Sequence, residues 1–421
     1  MNLMHTSLLS GLSILAKIIT GILILKIVAM DTGPTGVALL GQFSTLVGVL
    51  SVIAGGGIGV GVIKFVAKYR AHPSQLEPFL QSAATYTMFF SILSMVLGLL
   101  FASSLASWIL GQTNYTILVR CLFVTQLAIA ANLLIYAVLN GDGKIRLLVI
   151  ANIFSSVFSL LLIGTMTHYY HLNGALFAIL LSQIMTLLVS LICVYQETWF
   201  RFLRPIKAKI THLFDLSHYS LMNTVSAVTV PVAQILVRND ISTLMGWDTV
   251  GYWQAVLRIS DAYLMLVTTI FTAYYLPRFS QLTDLKSIKK EIKDAHIKLL
   301  PIVAFTLFVL YICRHLMISL LYNSDFEAAT PLFLYQLLGD FFRIAAWIIT
   351  YLLLAKSWTK TYIATEVILS ILFVFCSFVF VRWAGLMGVT YAFALTYFIY
   401  WVLMVGVAQV YFKQEKVRKS S

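Results

Sequence analysis

The sequence is short of charge. Only 11% of its 421 residues are Asp, Glu, Lys or Arg, while 60% are hydrophobic. Soluble chains run at about a quarter charged and half apolar, so no single soluble domain shields this much apolar surface. A water-soluble enzyme is excluded, and lipid is the solvent the composition calls for. Cysteine is sparse as well. Cys121, Cys193, Cys313 and Cys376 each stand alone inside an apolar segment, with no CxxC spacing and no clustering. That excludes a disulfide framework and a thiolate metal site, and leaves packing as their role. The residues from Met1 to Ser7 have no basic n-region, and the apolar stretch after them overruns signal-peptide length without an Ala-x-Ala-like site. It is expected to be retained as the first membrane span. Also missing is any Ser/His/Asp or paired-carboxylate constellation, so no catalytic residue is expected.

What is present is a series of long apolar segments. A helix needs about 20 apolar residues to cross the hydrocarbon, and only helices or closed barrels satisfy their backbone there. The segments are too long for barrel strands and predict an all-α integral membrane protein of about twelve spans, at 8–30, 37–63, 79–102, 117–139, 147–167, 174–196, 218–241, 251–275, 298–320, 331–355, 362–382 and 389–412. Basic residues concentrate in alternate loops. Lys64, Lys68, Arg70, Lys144, Arg146, Arg201, Arg204, Lys207 and Lys209 lie on one face in the first half. Arg278, Lys286, Lys289, Lys290, Lys293, Lys356, Lys360, Lys413, Lys416, Arg418 and Lys419 continue that face in the second, against Arg382 on the other. The positive-inside rule puts the rich face and both termini in the cytoplasm. The net charge of +13 is therefore mostly topology, and nucleic acid is not an expected partner. The outer loops are too short to house an enzyme domain.

The chain also repeats. Leu110 to Tyr115 aligns with Leu321 to Phe326, Gly36 with Gly251, and Gly174 to Ala178 with Gly388 to Ala392, at offsets of 211, 215 and 214. Near-equal offsets that preserve span number and direction predict two six-helix halves inserted in the same orientation, with a site between them. The expected organisation is an N-terminal bundle at 1–200, a cytoplasmic linker at 201–217, a C-terminal bundle at 218–412 and a basic tail at 413–421.

An ionised side chain at the bilayer centre costs at least about 2.5 to 3.5 kcal/mol, so each should face a cavity or a partner. Span 1 lines up Thr6, Ser10, Ser13, Lys17 and Thr20, which places Lys17 on a polar face; Lys26 is half a turn away and near enough to the end to snorkel. Span 7 carries Tyr219, Asn223, Ser226, Gln234 and Arg238 on one arc. Span 8 sets Gln254, Arg258, Asp261, Thr268 and Thr272 on one narrow face, and span 10 has Gln336, Asp340, Arg343 and Trp347. Two readings compete for Arg258 with Asp261, and for Asp340 with Arg343: cavity groups, or i,i+3 ion pairs that lock the packing. Arg120, Arg238 and Arg314 lie toward outer helix ends, where interfacial anchoring competes with function, and Glu366 reads as structural. The inventory is seven cations (Lys17, Lys26, Arg120, Arg238, Arg258, Arg314, Arg343) against four acids (Asp240, Asp261, Asp340, Glu366). The positive remainder suits an anionic cargo, since Arg grips phosphate oxygens through charge-assisted hydrogen bonds.

Two patterns promise more than they deliver. Gly55-Gly-Gly-Ile-Gly-Val-Gly61 fits neither the Walker nor the GxGxxG spacing and follows a membrane helix, so it reads as a flexible or kinked inner half of span 2. Pro231 is a second candidate bend. His168 and His171 have no third ligand nearby. No metal or cofactor is called for.

Asp31-Thr-Gly-Pro-Thr-Gly-Val-Ala-Leu-Leu-Gly-Gln-Phe43, the glycine run ending in Lys64-Phe-Val-Ala-Lys-Tyr69, Trp253-Gln254, Ile259-Ser-Asp-Ala-Tyr-Leu264 and Leu276-Pro-Arg-Phe-Ser-Gln-Leu282 resemble the Wzx flippases. These form part of the polysaccharide-transport branch of the multidrug/oligosaccharidyl-lipid/polysaccharide exporter (MOP) superfamily. The similarity is greatest to the subtype serving enterobacterial common antigen. It implies a MATE-like fold of two six-helix bundles around a central cavity lined by helices 1, 2, 7 and 8. It also implies a bacterial inner-membrane protein that moves undecaprenyl-pyrophosphate-linked oligosaccharide, an O-antigen or enterobacterial common antigen repeat unit, between leaflets by alternating access. Membrane lipid and the polymerase and chain-length proteins of the same pathway are the implied partners. On this reading Lys17, Arg238 and Arg258 meet the pyrophosphate and Asp261 tunes Arg258. Asn223, Gln234, Gln254 and Thr268 line the cavity, with Lys26, Arg120, Arg314, Asp340 and Arg343 as further candidates. The rivals are a cation-coupled drug exporter of the same superfamily, which should carry uncompensated carboxylates, and a membrane glycan polymerase or glycosyltransferase, which should carry a sizeable loop.

Overall fold

The computed structural model describes residues 3–205, 208–282 and 284–420, with side chains except at 3–10, 12, 218, 219, 222, 226 and 415–420. Thr6, Ser10, Tyr219 and Ser226 of the expected stripes, and Lys207, Lys416, Arg418 and Lys419 of the basic face, fall outside the described residues or side chains. The chain divides into two compact units, 1–235 and 236–421. The first holds α1 (Leu3–Ala54), α2 (Gly59–Tyr69), α3 (Pro73–Leu100), α4 (Ala102–Leu110), α5 (Thr116–Asp142), α6 (Ile145–Val194) and the first part of α7 (Ile210–Met245). The second holds the rest of α7, α8 (Trp247–Ile270), α9 (Leu276–Gln281), α10 (Leu285–Ile312), α11 (Arg314–Leu321), α12 (Phe333–Ala355), α13 (Thr359–Ala384) and α14 (Leu386–Ser420). Among the described residues there is no strand, and nine helical stretches are long and apolar enough to cross a membrane. The protein is a multi-pass membrane protein.

Two of those stretches are double length. At 1.5 Å per residue a straight helix of 52 residues would run to about 78 Å, far beyond about 30 Å of hydrocarbon. Accordingly α1 kinks at Gly33 (φ 63°, ψ −164°) and the 50-residue α6 kinks at His171 (φ 50°, ψ −136°), so each covers two expected spans. Gly33 reaches positive φ without steric cost because it lacks a Cβ. His171 has no such freedom.

The repeat is written in the backbone. Helices α3 and α10 are both 28 residues long; each is followed by a short helix (α4, α11), a 3-10 segment (Thr113–Tyr115, Ser324–Leu332) and a long helix (α5, α12). Positive φ recurs in step at Gly33 and Gly246, Gly143 and Ser357, and His171 and Gly385, 213 to 214 residues apart. The same turns are needed twice because the same sequence of helices is built twice.

In the first unit, Ile58, Val62, Val66, Phe79, Leu80, Val138 and Leu139 form a core that also takes in Trp199 and Leu216. The segment expected as a linker is thus packed: Thr198–Phe202 is a 3-10 turn, the Lys209 amide donates to Ser82 Oγ at 3.0 Å, and α7 begins at Ile210. In the second unit α10 is a single helix that starts well before the apolar span at 298. Asp284 caps it by accepting from the Ser287 amide at 3.0 Å, and Ile288 and Ala295 are buried on one face.

Candidate functional site

The glycine run breaks span 2 outright. Helix α1 ends at Ala54; the Gly56 amide donates to Ile53 O at 3.0 Å and the Gly57 amide to Val52 O at 2.9 Å, with φ of 69° and 64° at the two glycines. This closes the helix with left-handed residues, and α2 restarts at Gly59. Inside a membrane every freed backbone group needs a partner or a wet cavity. Both provisions are present. Ser91 Oγ donates to Ala54 O at 2.8 Å and Asn223 Nδ2 to Gly57 O at 3.1 Å. The break also opens onto a cavity of about 440 Å³ lined by Gly55, Gly57, Gly59, Asn140, Asn152, Asn223 and Lys17. Lys17 is exposed there, a turn beyond the buried Ser13, and makes no ion pair among the described residues. The first unit therefore brings together two expected site residues, Lys17 and Asn223, at a place the glycines create. Lys26 and Gln234 are half-buried, and Arg120 is exposed.

Span 10, in the second unit, treats its charges differently. Asp340 is fully buried. Tyr263 OH donates to its Oδ2 at 2.5 Å, and Arg343 Nη1 stands 3.8 Å from its Oδ1. The Arg343 guanidinium lies over the rings of Trp347 and Tyr397, at 5.0 and 5.3 Å. Glu366 accepts from Tyr400 OH at 3.2 Å. The span 10 pair is therefore an ion pair held in an aromatic box. Arg238, expected toward an outer helix end, is only 2% exposed, with its guanidinium 6.0 Å from the Trp253 ring. Asp240 is taken by Arg382 in a bidentate pair at 2.8 and 2.9 Å, and Arg314 donates to Tyr311 O and lies over that ring.

Span 8 departs from its expected ion pair. Arg258 is half-buried and Asp261 exposed, and neither makes an ion pair or hydrogen bond among the described residues. The i,i+3 spacing puts the two on one face, but sharing a face does not by itself close an ion pair. Gln254 is buried with its Oε1 lacking a donor, and the Thr268 hydroxyl bonds to its own helix at Met265 O. Beyond Thr268 the helix widens into a π turn at Phe271–Tyr275.

The model of the polysaccharide biosynthesis protein family matches residues 4–283. The lipid III flippases of Escherichia coli (strain K12) and Shigella flexneri are each 33% identical to the chain, over 97% of its length and 98% of theirs. The chain belongs to the polysaccharide biosynthesis protein family. Its fold is shared with the lipid II flippase MurJ in an inward closed conformation (TM-score 0.76, 15% identity, 96% of this chain and 87% of that one). It is also shared with an inward-facing multidrug resistance MATE family transporter of the MOP superfamily (TM-score 0.70, 17% identity, 96% and 95%). At such identities the likeness speaks for fold alone, and the expected MATE-like architecture is the one observed.

Within this family member, sequence spacing missed Tyr263 and Tyr397, the partners of Asp340 and Arg343. They lie 77 and 54 residues away along the chain; Tyr263 falls within a quoted motif that says nothing of Asp340, and no local pattern marks Tyr397. Trp253, noted only as part of a motif, is the ring against which Arg238 packs.

Proposed function

We propose that the protein is a flippase that carries an undecaprenyl-pyrophosphate-linked oligosaccharide from the inner to the outer leaflet of the bacterial inner membrane by alternating access. The carrying observation is the 33% identity with lipid III flippases along nearly the whole chain. The interior charges support it. Lys17 on the cavity of the broken helix and half-buried Arg258 are cations without counter-ions, the state in which a diphosphate gains most from charge-assisted hydrogen bonds. In this reading Lys17 and Arg258 grip the diphosphate and Arg238 raises the local potential from its place against Trp253. Asn223, Gln234 and Gln254 face the glycan, and Asp261 moderates Arg258 through space. Two six-helix halves, joined at 201–217 and with both termini cytoplasmic, rock about the substrate. The polymerase and chain-length proteins of the pathway receive the product, and no bond is made or broken by the flippase itself.

A strain lacking the protein should accumulate lipid-linked oligosaccharide in its inner leaflet, and flippases of known cargo that restore surface glycan identify the sugar. Arg258→Glu should abolish surface glycan with the protein still in the membrane; unchanged glycan removes Arg258 from the mechanism. One observation favours a second reading, a cation-coupled exporter: Asp261 is an exposed carboxylate without an ion pair. Proton or sodium flux stimulated by a cationic drug would select that reading.

A further inference from the structure

The cytoplasmic extension of α10 carries a row of like charges that the fold does not explain. Lys289, Lys293 and His296 stand at i, i+4 and i+7, one face of the helix. Like charges at i,i+4 are mutually destabilising, yet neither lysine has an acid partner among the described residues. Glu291 is taken by Arg278 at 3.2 Å, and Asp294 pairs with none of them. Lys413, at the end of the apolar part of α14, joins the same place. The four basic side chains line a cavity of about 670 Å³ within the second unit.

The rest of that cavity is of opposite character. Its wall is Ile349, Val405 and Ala408, which lie inside the apolar spans, with Trp401 deeper on the same helix as Lys413. The Trp401 indole nitrogen is buried without an acceptor. Lys289 Nζ lies 4.9 Å from the Phe412 ring, which holds the ammonium at the mouth. His296 Nδ1 donates to Ile292 O at 2.8 Å, and in the imidazolium form the Nε2–H is left to donate to a phosphate oxygen. A cavity with uncompensated cations at the level where the spans end, and an apolar wall reaching into them, matches one chemistry: a phosphate joined to an acyl chain.

We propose that this cavity is a binding site for an anionic glycerophospholipid of the surrounding leaflet, its phosphate among Lys289, Lys293, Lys413 and His296 and its acyl chain along Ile349 and Val405. Apart from its basic groups the cavity offers sugars only Gln409 and the Trp401 indole N–H, too few for an oligosaccharide, so a bulk lipid is the occupant, not the carried glycolipid. The site is independent of the proposed transport function and persists if that reading fails.

The test is native mass spectrometry of the full chain released from nanodiscs of phosphatidylethanolamine, phosphatidylglycerol and cardiolipin. The wild type should retain one anionic phospholipid. Each surface lysine contributes about a threefold to tenfold attraction to anionic lipid, so Lys289→Gln/Lys293→Gln/Lys413→Gln should weaken retention roughly a hundredfold. Lys286→Gln/Lys290→Gln/Lys298→Gln removes the same charge away from the cavity and should keep the lipid. Arg at the three cavity positions should restore it, which separates loss of the site from loss of the fold. Equal loss in both triple variants, no loss in either, equal retention of phosphatidylethanolamine, or displacement by undecaprenyl diphosphate ahead of phosphatidylglycerol would each overturn the proposal.

Discussion

In the first half the C-terminal end of span 2 is interrupted by a glycine turn, and Lys17 lies on the cavity beside it without a counter-ion among the described residues. About 215 residues on, the matching stretch of α8 is continuous and only widens into the π turn Phe271–Tyr275. The charges of that half's span 10 are buried in rings and hydroxyls: Asp340 under Tyr263, Arg343 over Trp347 and Tyr397. A repeated helical plan has thus been spent on two different tasks. Span 1 keeps an interior cation open, as span 8 of the second half does with Arg258, while span 10 closes its ion pair into packing. The difference teaches that a membrane-buried charge is not by itself a mark of function. The contrast between an open charge and one buried beside its counter-ion is the informative feature.

The strongest way to break the comparison is to remove one charge from each half. Asp340→Ala leaves Arg343 in its box without the acid and should cost about 3 to 5 kcal/mol, the usual penalty for breaking a buried pair. Thermal unfolding in detergent reads it. The double variant Asp340→Leu/Arg343→Met should recover most of the loss. Lys17→Met should behave in the opposite way, with stability within about 0.5 kcal/mol of wild type and transport reduced roughly tenfold to a hundredfold, the worth of one charge-assisted hydrogen bond. If Lys17→Met lowered the melting temperature as far as Asp340→Ala does, Lys17 would be as much a packing charge as the span 10 pair.

The helix break is the next point of leverage. A Cβ at Gly57 would lie on the Thr224 hydroxyl and the Ser220 carbonyl, at a backbone φ of 64° that L-residues resist. Gly57→Ala should therefore cost about 2 to 4 kcal/mol, strain and overpacking together. Gly59 also lines the cavity, but its Cβ would meet nothing within 4 Å. Gly59→Ala should be close to neutral in the same melting assay, and equal losses would show that the turn geometry is not what matters.

Much of this was legible beforehand, for identifiable reasons. Hydropathy and the alternation of basic loops depend on local composition, so the helical membrane fold and the repeat could be read directly. The glycine run pointed to a kink, because glycine is what a left-handed turn requires. What it opens could not be read, since the cavity wall comes from Asn140, Asn152 and Asn223, scattered along the chain. Face-sharing in α8 was likewise readable. It could not say that Asp261 is exposed while Arg258 is half-buried, because a helical face fixes direction and not the neighbours waiting there. The Tyr263 to Asp340 bond shows the general limit: the two are joined only by how α8 and α12 pack.

The smallest expected effect sharpens the comparison at a single turn. His171 and Gly385 occupy matching kinks with nearly the same backbone, φ 50°, ψ −136° and φ 59°, ψ −141°. That region is essentially reserved for glycine, and a side chain there stores about 1 to 3 kcal/mol. The His171 side chain is exposed, so its removal forfeits little packing. His171→Gly should raise stability by about 1 kcal/mol once glycine's greater freedom in the unfolded chain is set against the relieved strain. Gly385→Ala is the mirror experiment. Its Cβ would meet only the Met245 sulfur at 3.9 Å, so a loss there reports backbone strain free of crowding. A gain in the first half paired with a loss in the second would mean that the kink is wanted in both halves and that His171 is kept against its conformational cost. No change at either position would mean that the membrane-spanning helices on each side, not the residue between them, impose the turn.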